Sequence, residues 1–243
     1  FPLSVEYNER MYAVGKIPGG FNKREGKASE NAILTCRVID RPMRPLFPKD
    51  YRNDVTLENL VLSVDQDCAP ELTAMLGAAI ATTISDIPFD GPTATTQVGL
   101  IDGEFVFNPT SAQRQVSDMA LTVASTREKV IMIEAGANEI PEAKMIEAIY
   151  KAHEVNQQVI AFIDQIVAEC GKEKHSYESC AVPQELFDEI KKIVPPEEGS
   201  DLCHRFVMHG RAVCNARKPE CEKCCLKDIC RTAREAAGQQ AEP

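Results

Sequence analysis

Four cysteines, Cys214, Cys221, Cys224 and Cys230, stand at the spacing C-x6-C-x2-C-x5-C. A cubane 4Fe–4S cluster needs four thiolates arriving from different directions. The two-residue spacer puts Cys221 and Cys224 on one turn, and the longer spacers let Cys214 and Cys230 close the site. Zinc accepts the same four thiolates and stands as the alternative. Cys225 adjoins a ligand and is read as a spare thiol; His204 and His209 are read as packing or surface residues. Near the other end, Lys16 to Gly26 reads Lys-Ile-Pro-Gly-Gly-Phe-Asn-Lys-Arg-Glu-Gly. Phe21 offers a face on which a base can stack, typically worth about 1–3 kcal/mol. Lys23 and Arg24 can neutralise phosphates, and Arg37, Arg41 and Arg44 add forked donors. Together they describe a track for single-stranded RNA.

The elements that must position these residues are legible in outline. Ser29 to Asp40 reads as a helix with Ser29 as N-cap and Glu30 in the first turn. Arg37, Arg41 and Arg44 share a face if the helix runs that far, but Pro42 is expected to end it near Arg41. Residues 1–52 otherwise read as loop-rich, punctuated by proline and glycine. Val55 to Asp65 has the content of a strand, and Ala69 to Ile84 that of a buried helix. Thr93 to Phe107 reads as a hairpin turned by Asp102-Gly103. Met119 to Ala124 and Val130 to Glu134 form a second strand pair. Pro141 to Cys170 is a long helix stopped by Gly171, with an apolar stripe over Met145, Ile149, Val155, Val159, Phe162, Ile166 and Val167. Pro183 to Val194 is a short amphipathic helix, and from residue 183 onward the chain reads as helical or irregular. This order is that of an α+β or α/β domain.

The formal charge of the 243 residues is −10, which argues against bulk affinity for nucleic acid. Its distribution says more. Residues 10–52 hold ten Lys/Arg against four Asp/Glu, and residues 203–234 hold eight against three. Basic patches on an acidic body still guide a polyanion locally, because screening keeps distant charges from cancelling them. With ten cysteines and no visible signal peptide, clustering points to metal ligation over a disulfide framework. Cys36, Cys68, Cys170 and Cys180 are read as buried small hydrophobes or free thiols. No apolar run is long enough to span a membrane, and a cytoplasmic location is expected.

The wording of the first part resembles bacterial polyribonucleotide nucleotidyltransferase (polynucleotide phosphorylase), in the first of its two RNase PH-like core domains. The residues that carry it are Gly15-Lys-Ile-Pro-Gly-Gly-Phe, Arg37-Val-Ile-Asp-Arg-Pro-Met-Arg-Pro-Leu-Phe-Pro, Val61-Leu-Ser-Val-Asp65, Ile87-Pro-Phe-Asp-Gly-Pro92 and Gly99-Leu-Ile-Asp-Gly-Glu-Phe-Val-Phe-Asn-Pro109. The resemblance runs to about Val194. It implies an α+β, RNase PH-like fold with a ribosomal protein S5 domain 2-like βαβα core, N-terminally truncated. It further implies phosphorolytic 3′-to-5′ RNA degradation by a ring-shaped homotrimer. In that family the loop matching Phe21-Asn22-Lys23-Arg24 lines the neck of the RNA channel. Here Asn22 replaces a second aromatic and Lys23 a frequent arginine, which loses a stacking face and a fork. The family's Mg2+ and phosphate sites lie mainly in the second core domain, which has no counterpart here. Asp86, Asp90, Asp102 and Glu104 are read as solvated loop carboxylates, so no catalytic residue is assigned. The chain is expected to supply RNA-binding and trimer surfaces and to be inactive alone.

From about Pro196 the wording changes. The cysteine pattern with Ala216-Arg-Lys-Pro-Glu-Cys221, preceded by His204-Arg-Phe-Val-Met-His-Gly-Arg211, resembles the cluster loop of endonuclease III-type DNA glycosylases. That resemblance implies that Arg217 and Lys218 face DNA phosphates. It implies no base-excision chemistry, because the family's catalytic lysine and aspartate have no counterpart. The organisation expected is a truncated core over 1–140, helices leading into a helical linker over 141–194, a cluster segment over 195–234 and a disordered tail over 235–243. The alternative to the phosphorylase reading is a non-catalytic nucleic-acid-binding fusion with a structural cluster, or a glycosylase remnant.

Overall fold

The computed structural model describes residues 2–21, 23–215 and 217–236. Most of the expected polar tail, from residue 237 on, lies outside the described residues, as does Asn22. The chain divides into two compact units, Phe1–Ala181 and Val182–Pro243.

The first unit opens with a strand that the loop-rich reading of residues 1–52 omits. Strand β1 (Leu3–Glu9) lies parallel to β2 (Val55–Val61), with Leu3 opposite Val55 and Glu9 opposite Val61. Leu3, Val5 and Tyr7 alternate inward, which is the period of a half-buried strand. Helix α1 (Glu30–Met43) crosses between them, and α2 (Pro70–Ile84) follows β2, giving β-α-β-α. Ser29 caps α1 as expected, its Oγ accepting the Ala32 N–H at 3.1 Å. Pro42 does not stop the helix at Arg41. The proline forfeits one backbone bond in the last turn, while Pro42 and Met43 are buried and Arg44 forks onto Asp40 one turn back.

A second sheet has the order β4-β3-β5-β6 and is antiparallel throughout. Its strands are β3 (Ala94–Ile101), β4 (Glu104–Phe107), β5 (Met119–Ser125) and β6 (Val130–Ala137). Asp102 and Gly103 turn the hairpin with φ of 51° and 82°, the left-handed pair that matches the twist of two strands. A one-and-a-half-turn helix α3 (Ser111–Val116), absent from the sequence reading, follows β4 behind a Thr110/Gln113 capping box. Helix α4 (Glu142–Cys170) packs across β3 and β5. Its fully buried face is Ala148, Ala152, Asn156, Ile160 and Ile163; of the stripe expected from the larger side chains, Met145 and Ile149 pack half-buried against the same core, while Phe162 is 54% exposed. The small alanines let the helix axis approach the sheet over Val98, Leu121 and Val123. Each such fully buried aliphatic contributes about 1.5–3 kcal/mol. A second cluster of Tyr7, Ala32, Ile39, Met75, Ala78, Ala124 and Met132 joins the two sheets through α1 and α2.

After α4 the chain straps itself back onto the first unit. Gly171 is required there for closeness, since a Cβ would stand 2.5 Å from the Val167 carbonyl oxygen. Lys172 donates its N–H to Ile84 O at 2.9 Å, and His175 donates its N–H to Asp86 O at 2.8 Å. Lys174 Nζ reaches three carbonyls at the end of α2, Thr82, Thr83 and Ser85, at 3.2, 2.9 and 2.7 Å. Such a cation satisfies the carbonyls that a helix end leaves unpaired. Asp50 then accepts from both the Ser179 and Tyr177 hydroxyls, and the Cys180 N–H donates to its backbone oxygen. The Ser179 hydroxyl first, then that of Tyr177, holds the Asp50 carboxyl below its ordinary range. A carboxyl lowered on folding stabilises above the ordinary value, near 4, and that contribution is lost as pH falls through the folded value. Asp50→Asn is therefore expected to loosen residues 175–181, measured as faster amide exchange at Cys180, with the wild type converging on the variant as the pH is lowered. Equal protection in both proteins at neutral pH would contradict this.

The second unit contains no strand among the described residues, in keeping with its helical reading. It comprises α5 (Gln184–Ile193), α6 (Gly199–Ala212), a 3-10 turn at Cys221–Lys223 and α7 (Arg231–Ala236). No helix of the described residues is long and apolar enough to cross a membrane.

Candidate nucleic-acid interface

The basic block forms a loop between the end of β1 and the start of α1. Its first arm is a 3-10 turn, Met11–Val14, closed by Gly15 at φ 68°, with Gly15 N–H donating to Tyr12 O and Lys16 N–H to Met11 O. Its tip is a turn in which Lys23, at φ 47°, donates its N–H to Gly20 O at 3.0 Å. Phe21 projects fully into solvent at that tip, and Lys23 and Arg24 are exposed beside it. A large aromatic with no protein surface to cover it is costly in water and suited to a stacked base. Lys16 and Ile17 on the rising arm are exposed too.

The loop is closed at its neck by residues that the sequence reading passed over. Glu25 accepts from Arg10 Nη1 at 2.8 Å through one carboxylate oxygen and from the Met11 N–H through the other. The Met11 N–H first, then Arg10, holds the Glu25 carboxyl below its ordinary range. The only available signal was an acid inside a basic run.

The three arginines of the second motif separate. Arg37 and Arg41 are exposed on one side of α1, with no ion pair or side-chain hydrogen bond among the described residues. Arg44 is half-buried; its Nε and Nη2 reach Asp40 at 2.9 and 2.7 Å, and Nη2 reaches Leu3 O at 3.0 Å. Arg44 thus fastens α1 to β1, while Arg37 and Arg41 remain available to a ligand.

In the second unit, Cys214, Cys221, Cys224 and Cys230 all line one cavity of about 210 Å3, walled otherwise by Val213, Pro219, Thr232 and Ala233 among others. Cys225 is not on that wall. His209 Nε2 lies 3.3 Å from Cys224 Sγ. Among the described residues, no three of His, Cys, Asp or Glu converge closely enough to hold a single metal ion, the carboxylates of residues 86–104 included. Arg217 and Lys218 are exposed on the loop between the first two cysteines, where Asn215 receives both their N–H groups. Cys36 is half-buried, and Cys68, Cys170 and Cys180 are exposed, so of the two expectations for these four the free thiol holds and the buried small hydrophobe does not.

Residues 1–88 match the 3′ exoribonuclease family, domain 1, and residues 91–155 match the same family, domain 2. The chain is 79% identical over 198 residues to the polyribonucleotide nucleotidyltransferase of Lachnoclostridium phytofermentans, covering 82% of this chain and 28% of that protein. It is 58% identical over 192 residues to the enzyme of that name from Ruminiclostridium cellulolyticum, covering 79% of this chain and 27% of that one. The chain therefore spans little more than a quarter of the length of these relatives. Among solved structures, Rrp46 of rice superposes with a TM-score of 0.53 at 13% identity, covering 68% of this chain and 73% of the other, which is a likeness of fold.

Proposed function

Residues 1–155 of the chain belong to the 3′ exoribonuclease family, and on that footing we propose that the protein takes part in phosphorolytic 3′-to-5′ RNA degradation by binding single-stranded RNA. The observation that carries this reading is the solvent-projected Phe21 on a tip flanked by Lys23 and Arg24. A base stacks on the ring, and the two cations track the adjoining phosphates; Arg37 and Arg41 extend the basic surface along α1. Assembly into a homotrimer, which would bring three such loops together, belongs to the same proposal. Among the described residues no three of His, Cys, Asp or Glu converge on a point where a single Mg2+ could sit.

Lys23→Ala combined with Arg24→Ala is expected to weaken binding of labelled oligoadenylate. Each phosphate contact on a single strand contributes about 0.7 to the slope of log affinity against log salt, so the slope should fall by about 1.4. Titrations at several salt concentrations read this directly. An unchanged slope would remove these residues from the RNA surface.

A second reading concerns Val182–Pro243. That four cysteines line one cavity, and the fifth nearby does not, favours a 4Fe–4S cluster held by Cys214, Cys221, Cys224 and Cys230. The cavity, about 210 Å3, is roomy for several atoms, since one water takes up about 30 Å3. Such a group supplies a folding anchor or an electron-transfer centre when bound. Exposed Arg217 and Lys218 beside it suit a polyanion, with DNA phosphates as the candidate.

A further inference from the structure

We infer that Glu25 is a positioning residue of the RNA-contacting loop, acting as a clamp that closes its neck. This rests on the reading of Phe21, Lys23 and Arg24 as an RNA surface. Both oxygens of one carboxylate are used, on two consecutive residues at the end of β1: the Arg10 guanidinium and the Met11 N–H. The pair spans 15 positions of sequence and brings the two feet of the loop together. The Glu25 side chain is 19% exposed and that of Arg10 39%, so the carboxylate, held by two donors at once, is the more sheltered partner.

Nothing else among the described residues does this job. The first arm holds itself through Gly15 and Lys16, and α1 holds itself through Ser29. Between Lys16 and Arg24 the one described backbone bond is Lys23 to Gly20, which shapes the tip and ties it to neither foot. With the neck open, the tip samples many positions, and binding must then bear the cost of ordering it. With the neck closed, Phe21, Lys23 and Arg24 are presented together before RNA arrives.

The inference separates cleanly from simple charge. Glu25 is an acid within a basic loop, so its removal raises the local positive charge and by charge alone should tighten RNA binding. A clamp predicts the opposite sign. The experiment uses the full chain and fluorescein-labelled oligoadenylate, titrated at several salt concentrations. Glu25→Ala is expected to weaken binding about 5–10-fold, as ordering one or two side chains requires, with the salt slope unchanged because Lys23 and Arg24 remain. Glu25→Gln, which keeps an acceptor for Met11, should fall between Glu25→Ala and the wild type. Amide exchange at Lys23 should quicken in both, while the thermal midpoint stays at the wild-type value. Binding by Glu25→Ala that is equal to or tighter than wild type, beside a weakened Lys23→Ala/Arg24→Ala control, would overturn the clamp and leave the RNA surface standing. An unaffected control would overturn both. If Glu25→Ala lowers the thermal midpoint, Glu25→Gln decides: tighter or unchanged RNA binding by it rejects the clamp.

Discussion

Asn156→Leu is expected to lower the unfolding free energy of the first unit by about 3–5 kcal/mol, because it orphans several buried polar groups at once. Asn156 is fully buried in α4 where the helix crosses β3 and β5. Its Oδ1 accepts from Thr96 Oγ1 at 2.8 Å, and its Nδ2 donates to Val123 O at 3.1 Å and to Ser125 Oγ at 2.9 Å. Leucine keeps the branching at Cγ, is somewhat larger, and breaks all three hydrogen bonds. The Thr96 and Ser125 hydroxyls would then sit dry and unsatisfied, at about 1–3 kcal/mol each before relaxation. Against the 5–15 kcal/mol that holds a typical domain together, this is a large fraction. Urea unfolding followed by circular dichroism measures it. The triple variant Thr96→Val/Ser125→Ala/Asn156→Leu is the control: with the partners also made apolar, much of the loss should return. A loss under about 1 kcal/mol for Asn156→Leu alone would show that the network tolerates an empty place.

Cys221→Ser is expected to take the iron content of the anaerobically reconstituted protein from about four atoms per chain to none, with loss of the brown sulfur-to-iron absorption. Cys221 belongs to the pair on one turn and stands on the cavity wall with Cys214, Cys224 and Cys230. A serine oxygen is a poorer match for iron in a cubane, and three thiolates leave one corner open. Cys225→Ser, off that wall, should keep full iron. Stoichiometric iron in Cys221→Ser would show the ligand set to be wrong. Purification with one zinc per chain would replace the cluster with a tetrathiolate zinc site.

The parts of this fold that sequence made legible are those fixed by neighbours along the chain. The N-cap at Ser29, the Asp102-Gly103 hairpin turn, the long helix after Pro141 and the helical character of the second unit each follow from a residue type at a local position. Two elements had such a signal and went unread. The alternation of Leu3, Val5 and Tyr7 marks β1, and Thr110 followed by Gln113 marks the capping box of α3. In the candidate site, Phe21, Lys23, Arg24 and the four cysteines were named by type and spacing, and the last four do share a cavity.

By itself, then, the sequence determined the element types, the basic loop and the cysteine set, because backbone propensity and local spacing act over a few residues. Only the tertiary structure decided which polar groups meet. It turned Arg44 onto Asp40 and Leu3, centred the buried face of α4 on Asn156, tied Asp50 to Tyr177 and Ser179, and closed the loop through Arg10 and Glu25. Apart from the Arg44–Asp40 pair, one turn apart on a helix, these partners stand 15 to 129 positions from one another along the chain. No local periodicity encodes such pairs; around Asn156 packing removes water and leaves each group to satisfy the other, while the Asp50 and Glu25 pairs, still within reach of water, form because the folded chain brings them to hydrogen-bond distance.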